Sequence, residues 1–178
     1  KAHPPPAAPM YRTERLHLRP SRTDDASAVL AAIGDQDIVR NLGSAPWPYT
    51  LADAEQFVAA AFNPEEPRLL AFHGDERSQV LVGVAGLDRM PGGEVELGYW
   101  IAKSHWGQGL ATELGARMIG IARDELKLTR LTAGYFIDNP ASGRVLAKLG
   151  FCHVADPVHR KSRAREEMAL CQMCALGI

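Results

Sequence analysis

The chain has 178 residues, enough for one well-packed domain and short for two. Hydrophobic residues make up 46% and charged residues 23%, the balance of an ordinary soluble globular protein rather than a disordered or fibrous one. A net charge of -1 argues against a surface dedicated to coating DNA or RNA, and no apolar run approaches the length of a membrane span.

Lys1 to Pro9 is rich in proline and alanine and lacks the apolar segment of a secretory signal. It reads as part of a flexible leader, residues 1–10, ahead of a single domain over 11–178, with Met10 available as a natural start. Leu16-His-Leu-Arg-Pro20 is a short alternating strand. Asp24 and Asp25 open an alanine-rich helix with Ala28, Val29, Ala32 and Ile33 as its buried stripe. Asp35 to Tyr49 is irregular. It pins Trp47 between Pro46 and Pro48 in an extended segment, which either caps a pocket or packs as a surface plug. Thr50 is an N-cap for a helix over Leu51–Phe62, closed by Asn63-Pro64.

Three strands follow as an antiparallel meander: Leu69–Phe72, Val80–Leu87 and Val95–Ile101, joined by polar or glycine-rich turns. Leu110 to about Leu126 is a helix whose stripe is Leu110, Leu114, Met118, Ile121 and Ala122. Leu131–Ile137 is a strand. Asn139 and Pro140 start a further helix with Ala141, Val145, Leu146 and Leu149 on its buried face, and Gly150 ends it. Phe151–Ala155 is a strand, Asp156–Arg165 a polar basic loop, and Glu167–Leu176 a closing strand. Seven strands and four helices in this order make an α+β fold.

Cys171-Gln-Met-Cys174 has the spacing of a metal or redox pair, but it falls in the closing strand, where residues three apart point to opposite faces. Reduced structural cysteines are the better reading, and they fit a cytoplasmic location.

Three constellations carry chemistry. Trp106-Gly-Gln-Gly-Leu-Ala-Thr112 joins a strand to a helix, and its glycines let a ligand approach the backbone where the helix offers free N–H groups. It lacks the Lys-Ser/Thr of a Walker loop and the glycine spacing of a dinucleotide fingerprint. Asn139-Pro-Ala-Ser142 heads the next helix on the same edge of the sheet, as a cap or as part of a cofactor groove. Glu96 shares a strand face with Gly98 and Trp100, opposite Val95, Leu97, Tyr99 and Ile101. A carboxylate beside a glycine in a sheet suggests a site, although a strand facing water would tolerate it.

Together, Thr13-Glu-Arg-Leu-His-Leu-Arg-Pro20, Glu96-Leu-Gly-Tyr-Trp100, Trp106-Gly-Gln-Gly-Leu-Ala-Thr-Glu113, Asn139-Pro-Ala-Ser142 and Leu149-Gly-Phe151 resemble the GCN5-related N-acetyltransferases, within them the ribosomal-protein-alanine type (RimJ/RimL-like). The resemblance covers nearly the whole chain after the leader. It departs at Trp106, where the broader pyrophosphate motif has glutamine or arginine.

The resemblance implies a central sheet splayed in the middle, with acetyl-CoA as co-substrate in the wedge. Gln108, Gly109, Leu110, Ala111 and Thr112 would hold the pyrophosphate through N–H groups. Backbone of Tyr99, Trp100 and Ile101 would pair with the pantetheine arm, and Asn139 and Ser142 would contact the cofactor. In direct attack of a neutral amine on the thioester, Glu96 would accept the amine proton through water and Ser142 would donate toward the sulfur. Trp47 and Glu96 would border the acceptor, with Phe57, Phe62 and the basic run His159–Arg165 on that side. The basic run would attract an acidic peptide or the 3′-phosphate, or simply be solvated. The acceptor is a protein N-terminal amine or a small amine such as an amino acid, polyamine or antibiotic. No DNA, membrane or metal partner is expected, and monomer and homodimer both stay open. A silent acetyl-CoA sensor, separable by thioester turnover, and a nucleotide-binding regulator, separable by competition with ATP, are the alternatives.

Overall fold

The computed structural model describes residues 8–75 and 77–178, so most of the expected leader lies outside the described residues. The elements are β1 (Tyr11–Arg12), β2 (Leu16–Arg19), α1 (Ala26–Ile33), α2 (Gln36–Val39), α3 (Leu51–Ala59), β3 (Arg68–His73), β4 (Val80–Arg89) and β5 (Val95–Ile101). There follow α4 (Leu110–Asp124), β6 (Arg130–Phe136), α5 (Pro140–Lys148), β7 (Cys152–His153), β8 (Val158–Arg160) and β9 (Ala169–Gly177). The strands form one mixed sheet in the order β1-β2-β3-β4-β5-β6-β9-β7, with β8 also pairing β9. Its pairings are antiparallel except β5 against β6. This is the α+β architecture expected, with helices on both faces.

Each face has its own core, because alternate strand residues point opposite ways. On one face Leu16, Leu18, Leu87, Val95 and Leu97 pack under the α4 stripe Leu110, Leu114, Met118, Ile121 and Ala122. On the other, Val84 and Trp100 pack under Val29 and Ile33 of α1 and Ala54 and Val58 of α3. Thr50 caps α3 reciprocally: its hydroxyl accepts from Asp53 N–H, and Asp53 carboxylate accepts from Thr50 N–H at 2.8 Å.

The feature that positions the site is the weak seam between β5 and β6. Their pairings with β4 and β9 each run over seven registered positions, whereas these two strands register only at Glu96 and Thr132. Thr132 Oγ1 donates to Val95 C=O at 3.3 Å at that point. Beyond it the two strands part, leaving the edge of β5 from Leu97 to Ile101 without a strand partner. The sheet is splayed there, as the resemblance implies.

Several expectations need correction. β1 and β8 add two short strands, and α2 lies in the stretch expected to be irregular; two to four residues carry too little periodicity to register. Ala28 and Ala141 are exposed, not buried, since α1 and α5 rest on narrower stripes. Helix α3 stops at Ala59 rather than Phe62, because Ala60 is already extended. The basic stretch 156–165 is not simply a solvated loop, because β8 pairs with β9 across it. Among the described residues no helix is long and apolar enough to cross a membrane.

Candidate active site

The wedge opens into a cavity of 1060 Å³ whose wall includes Glu96, Tyr99, Trp100, Gly109, Asn139 and Ser142. Residues from β5, the turn before α4 and the head of α5 thus converge, although up to 46 positions separate them in sequence. Ile101, Leu110, Ala111 and Thr112 also line it, whereas Gln108 and Trp47 do not. Trp47 is about two-fifths exposed; its neighbours Pro46 and Tyr49 face the cavity instead. Phe57 is on the wall, but Phe62 packs against the core under α4.

The turn has the geometry of an anion cradle. Gly107 and Gly109 have φ of 72° and 76°, in the left-handed region that favours glycine. A Cβ on Gly107 would meet no atom within 4 Å, so the turn is open to a ligand. The first hydrogen bond of α4 runs from Glu113 N–H to Gly109 C=O at 3.1 Å, which leaves the N–H groups just before it without an acceptor inside the helix. These free donors and the helix dipole suit a pyrophosphate. Trp106, at the position where the motif departs, folds its indole back and donates from Nε1 to Ile101 C=O at 2.7 Å. Its side chain ties the turn to the end of β5.

A second clamp holds the turn. Arg15 donates from Nη1 to Gln108 C=O at 2.8 Å and from Nε to Glu113 at 2.7 Å, while its backbone N–H also reaches Glu113 at 2.7 Å. Thr13 Oγ1 adds a further bond to the same carboxylate. The start of the chain therefore holds the turn from below. Both partners fall inside motifs legible in the sequence, but nothing in the sequence shows that they touch across 98 residues.

Burial pushes the Glu113 carboxyl up, but the hydrogen bonds from Thr13 and Arg15 outweigh it, and the group sits below the ordinary value of 4.5. A depressed carboxyl stabilises the fold above the unfolded value and loses that contribution as pH falls through the folded one. Glu113→Gln is therefore expected to be less stable than the parent at neutral pH. The gap should narrow on acidification below pH 4.5. Urea midpoints across pH measure it; a gap that stays constant would exclude the clamp as its source.

Tyr99 and Ser142 meet across the wedge, sharing a hydrogen bond of 3.0 Å between hydroxyls. Burial pushes the Tyr99 phenol up to about 12, with the bond to Ser142 working the other way, so the hydroxyl stays protonated at neutral pH. The resemblance assigns Tyr99 a backbone role only, and its side chain adds a contact across the wedge. Asn139 stands at the head of α5 without capping it through its side chain, which leaves the amide available to a ligand.

Glu96 has an ion-pair partner. Arg160, on β8, donates from Nη1 to both of its oxygens at 3.1 Å. The pair is partly buried, with side chains one-third and one-fifth exposed. The sequence hid this partner in a basic run. Beyond it the chain straps the rim: Ser162 Oγ donates to Leu42 C=O at 2.6 Å, and Arg165 ion-pairs with Asp138, next to Asn139, at 2.7 Å.

Cys171 lies on the cavity wall and Cys174 in the core under α4, so the two thiols face apart. Both are free, and burial raises both thiols. Among the described residues no group of three or more His, Cys, Asp or Glu is arranged to hold a metal.

Comparison with known proteins agrees with this geometry. The sequence model of the acetyltransferase (GNAT) domain matches residues 15–152. The N-acetyltransferase YoaA of Bacillus subtilis (strain 168) is 29% identical over 146 residues, covering 80% of this chain and 82% of the relative. An acetyltransferase of the GNAT family from Bacillus anthracis superposes with a TM-score of 0.80 at 21% identity, over 94% of this chain and 98% of that one. RimL, a ribosomal alpha-N-protein acetyltransferase, superposes at 0.77 with 20% identity, over 96% and 95%. At such identities the two structures speak for a shared fold.

Proposed function

We propose, from the premise that this chain belongs to the acetyltransferase (GNAT) domain family, that residues 11–178 act as one domain whose cavity acetylates a primary amine by direct attack. The chain is an acetyl-CoA-dependent acetyltransferase, and its acceptor is an amine. Acetyl-CoA brings the acyl group already activated as a thioester.

The residues fit that co-substrate. The open glycine turn and the free N–H groups of Gly109 to Thr112 receive the pyrophosphate, and the edge of β5 from Tyr99 to Ile101, which has no strand partner on that side, offers backbone groups to an extended arm, the Ile101 C=O being already taken by Trp106. Asn139 adds its uncapped amide. On the acceptor side Glu96 takes the proton from the amine, through water. Ser142, held by Tyr99, gives a proton toward the sulfur, and the protonated Tyr99 phenol keeps that serine in place. The observation that carries the reading is the meeting of Glu96 and Ser142 in one cavity, at the only seam where neighbouring long strands of the described residues part.

A protein N-terminal amine is the acceptor we favour, in keeping with the RimJ/RimL-like motifs of the sequence and the fold shared with RimL. A small amine is the second reading, in keeping with the strap by which Ser162 and Arg165 hold Leu42 and Asn41 of the cavity wall. Thiol release from acetyl-CoA across short peptides and small amines tests both. Peptides that turn over while amines of equal concentration do not would establish the first reading; the reverse would establish the second.

A further inference from the structure

We propose that the acceptor carries a carboxylate next to its amine, and that Arg160 is the residue that receives it. The inference rests on the proposed role of Glu96 and deepens it.

The starting point is a conflict. A base must offer a lone pair to the incoming amine or its water. Both Glu96 oxygens already accept from Arg160 Nη1, at 3.1 Å each. An opposite charge this close holds a carboxylate in its pair. The ion pair competes with the amine for Glu96 without filling every lone pair of the carboxylate; a second anion on Arg160 relieves that competition, and the described cavity wall does not supply one at that point. Asp88, opposite Glu96 on β4, is turned to Arg68 at 3.7 Å. The acceptor itself is the remaining source.

The surroundings of Arg160 suit this exchange. Its guanidinium lies over Gly134 of β6, where an added Cβ would come within 3.1 Å of Nη1 and 3.0 Å of the sulfurs of Cys171 and Met173. It is therefore seated in a slot with a bare floor and soft sulfur walls, and neither sulfur balances its charge. Lys161 and Arg163 follow it on the same cavity wall, so this end of the site is cationic. Beside Glu96 the floor is bare again, because Gly98 stands next to it on the same face of β5 and pairs with Gly86. A Cβ on Gly98 would meet nothing within 4 Å. A small head group can lie on that floor with its amine toward Glu96 and its anion toward Arg160.

An α-amino acid fits directly, since one carbon separates its amine from its carboxylate. A peptide with an acidic residue at its start presents the same pair of groups on a longer spacing. In either case the substrate carboxylate replaces the Glu96 carboxylate on the guanidinium, whose planar fork can hold a carboxylate through two nitrogens where Glu96 engages Nη1 alone. No bond is made or broken in this step. The amine proton then goes to the released Glu96, and the acyl transfer proceeds as proposed above.

The test uses the full chain, acetyl-CoA and matched acceptors read by thiol release. Free amino acids are compared with their carboxamides, and peptides beginning with Asp with those beginning with Asn. The carboxylate member of the preferred series should have a kcat/KM higher by about tenfold to a hundredfold, the range of a charge-assisted hydrogen bond. The first series distinguishes a free amino acid and the second an acidic N-terminus. Arg160→Gln should bring the ratio close to one, while Arg160→Lys keeps part of it. Calorimetry of the same acceptor pairs against the CoA-loaded protein gives the ratio without turnover.

Equal kcat/KM for carboxylate and carboxamide in both series would overturn the proposal and leave Arg160 as a residue that merely orients Glu96. A preference that survives Arg160→Gln would overturn it as well. Loss of the underlying base assignment has a different signature, an Glu96→Gln variant as fast as the parent on neutral amines.

Discussion

Glu96→Gln is expected to lower kcat by about a hundredfold to ten-thousandfold, the usual contribution of a positioned general base, while acetyl-CoA binding stays close to that of the parent. The two effects separate because Glu96 and the cradle belong to different elements. Glu96 sits on β5 at its one registered position with β6, whereas the cradle is the turn from Gly107 to Thr112. Glutamine keeps the shape of the side chain and its reach toward Arg160, but it cannot take the amine proton. It also leaves Arg160 without its counter-charge, so the thermal midpoint should be measured beside the kinetics to separate lost chemistry from lost stability. A pH–rate profile gives the sharper reading. The limb that reports the base should vanish in the variant, and profiles identical to the parent across the whole range would remove Glu96 from the mechanism.

Gly109→Val acts on the other half of the site. With φ at 76°, a β-branched residue meets the penalty of the left-handed region, about 1–2 kcal/mol. The backbone can relieve that strain only by turning the peptide, and this peptide carries the donors that head α4. Arg15 resists such a turn, since it grips the carbonyl of Gln108 at 2.8 Å and Glu113 on the other side. Acetyl-CoA affinity should therefore fall by about five- to thirtyfold, the equivalent of that penalty, with a smaller effect on the rate at saturation. Calorimetry decides it: an unchanged dissociation constant would mean that the cradle lies elsewhere. The acceptor preference of the variant should match the parent, because Arg160 and the glycine floor lie on the far side of the strand.

Much of this arrangement is legible before any coordinates. The stripe of α4 is read correctly from its period, and Leu110, Leu114, Met118, Ile121 and Ala122 are all buried. The meander from β3 to β5 follows from alternation bounded by polar turns. Other elements carry too few residues for periodicity to act on: β8 is three residues long, α2 four, and β1 two. Ala28 and Ala141 fall on the wrong side because alanine is small enough to sit on either face of a helix, so its position says little about burial. Trp47 misleads for a related reason. An aromatic between two prolines marks a constrained segment, but not the direction in which the ring points.

Spacing along the chain was enough for the order of the longer elements, the two faces of β5, the glycine turn at the head of α4 and the family resemblance. All of these rest on interactions between residues a few positions apart, where spacing and local conformation are enough. Only the tertiary structure decided what each polar group finds opposite it. Arg160 reaches Glu96 across 64 positions, Arg15 reaches Gln108 across 93, and Tyr99 reaches Ser142 across 43. Pairings at such separation depend on how the strands splay and where a three-residue strand returns, and one chain read alone carries no local signal for them. The distinction matters most at Glu96. Alone on its strand it reads as a base without a partner, whereas beside Arg160 it is half of an ion pair with which the acceptor competes.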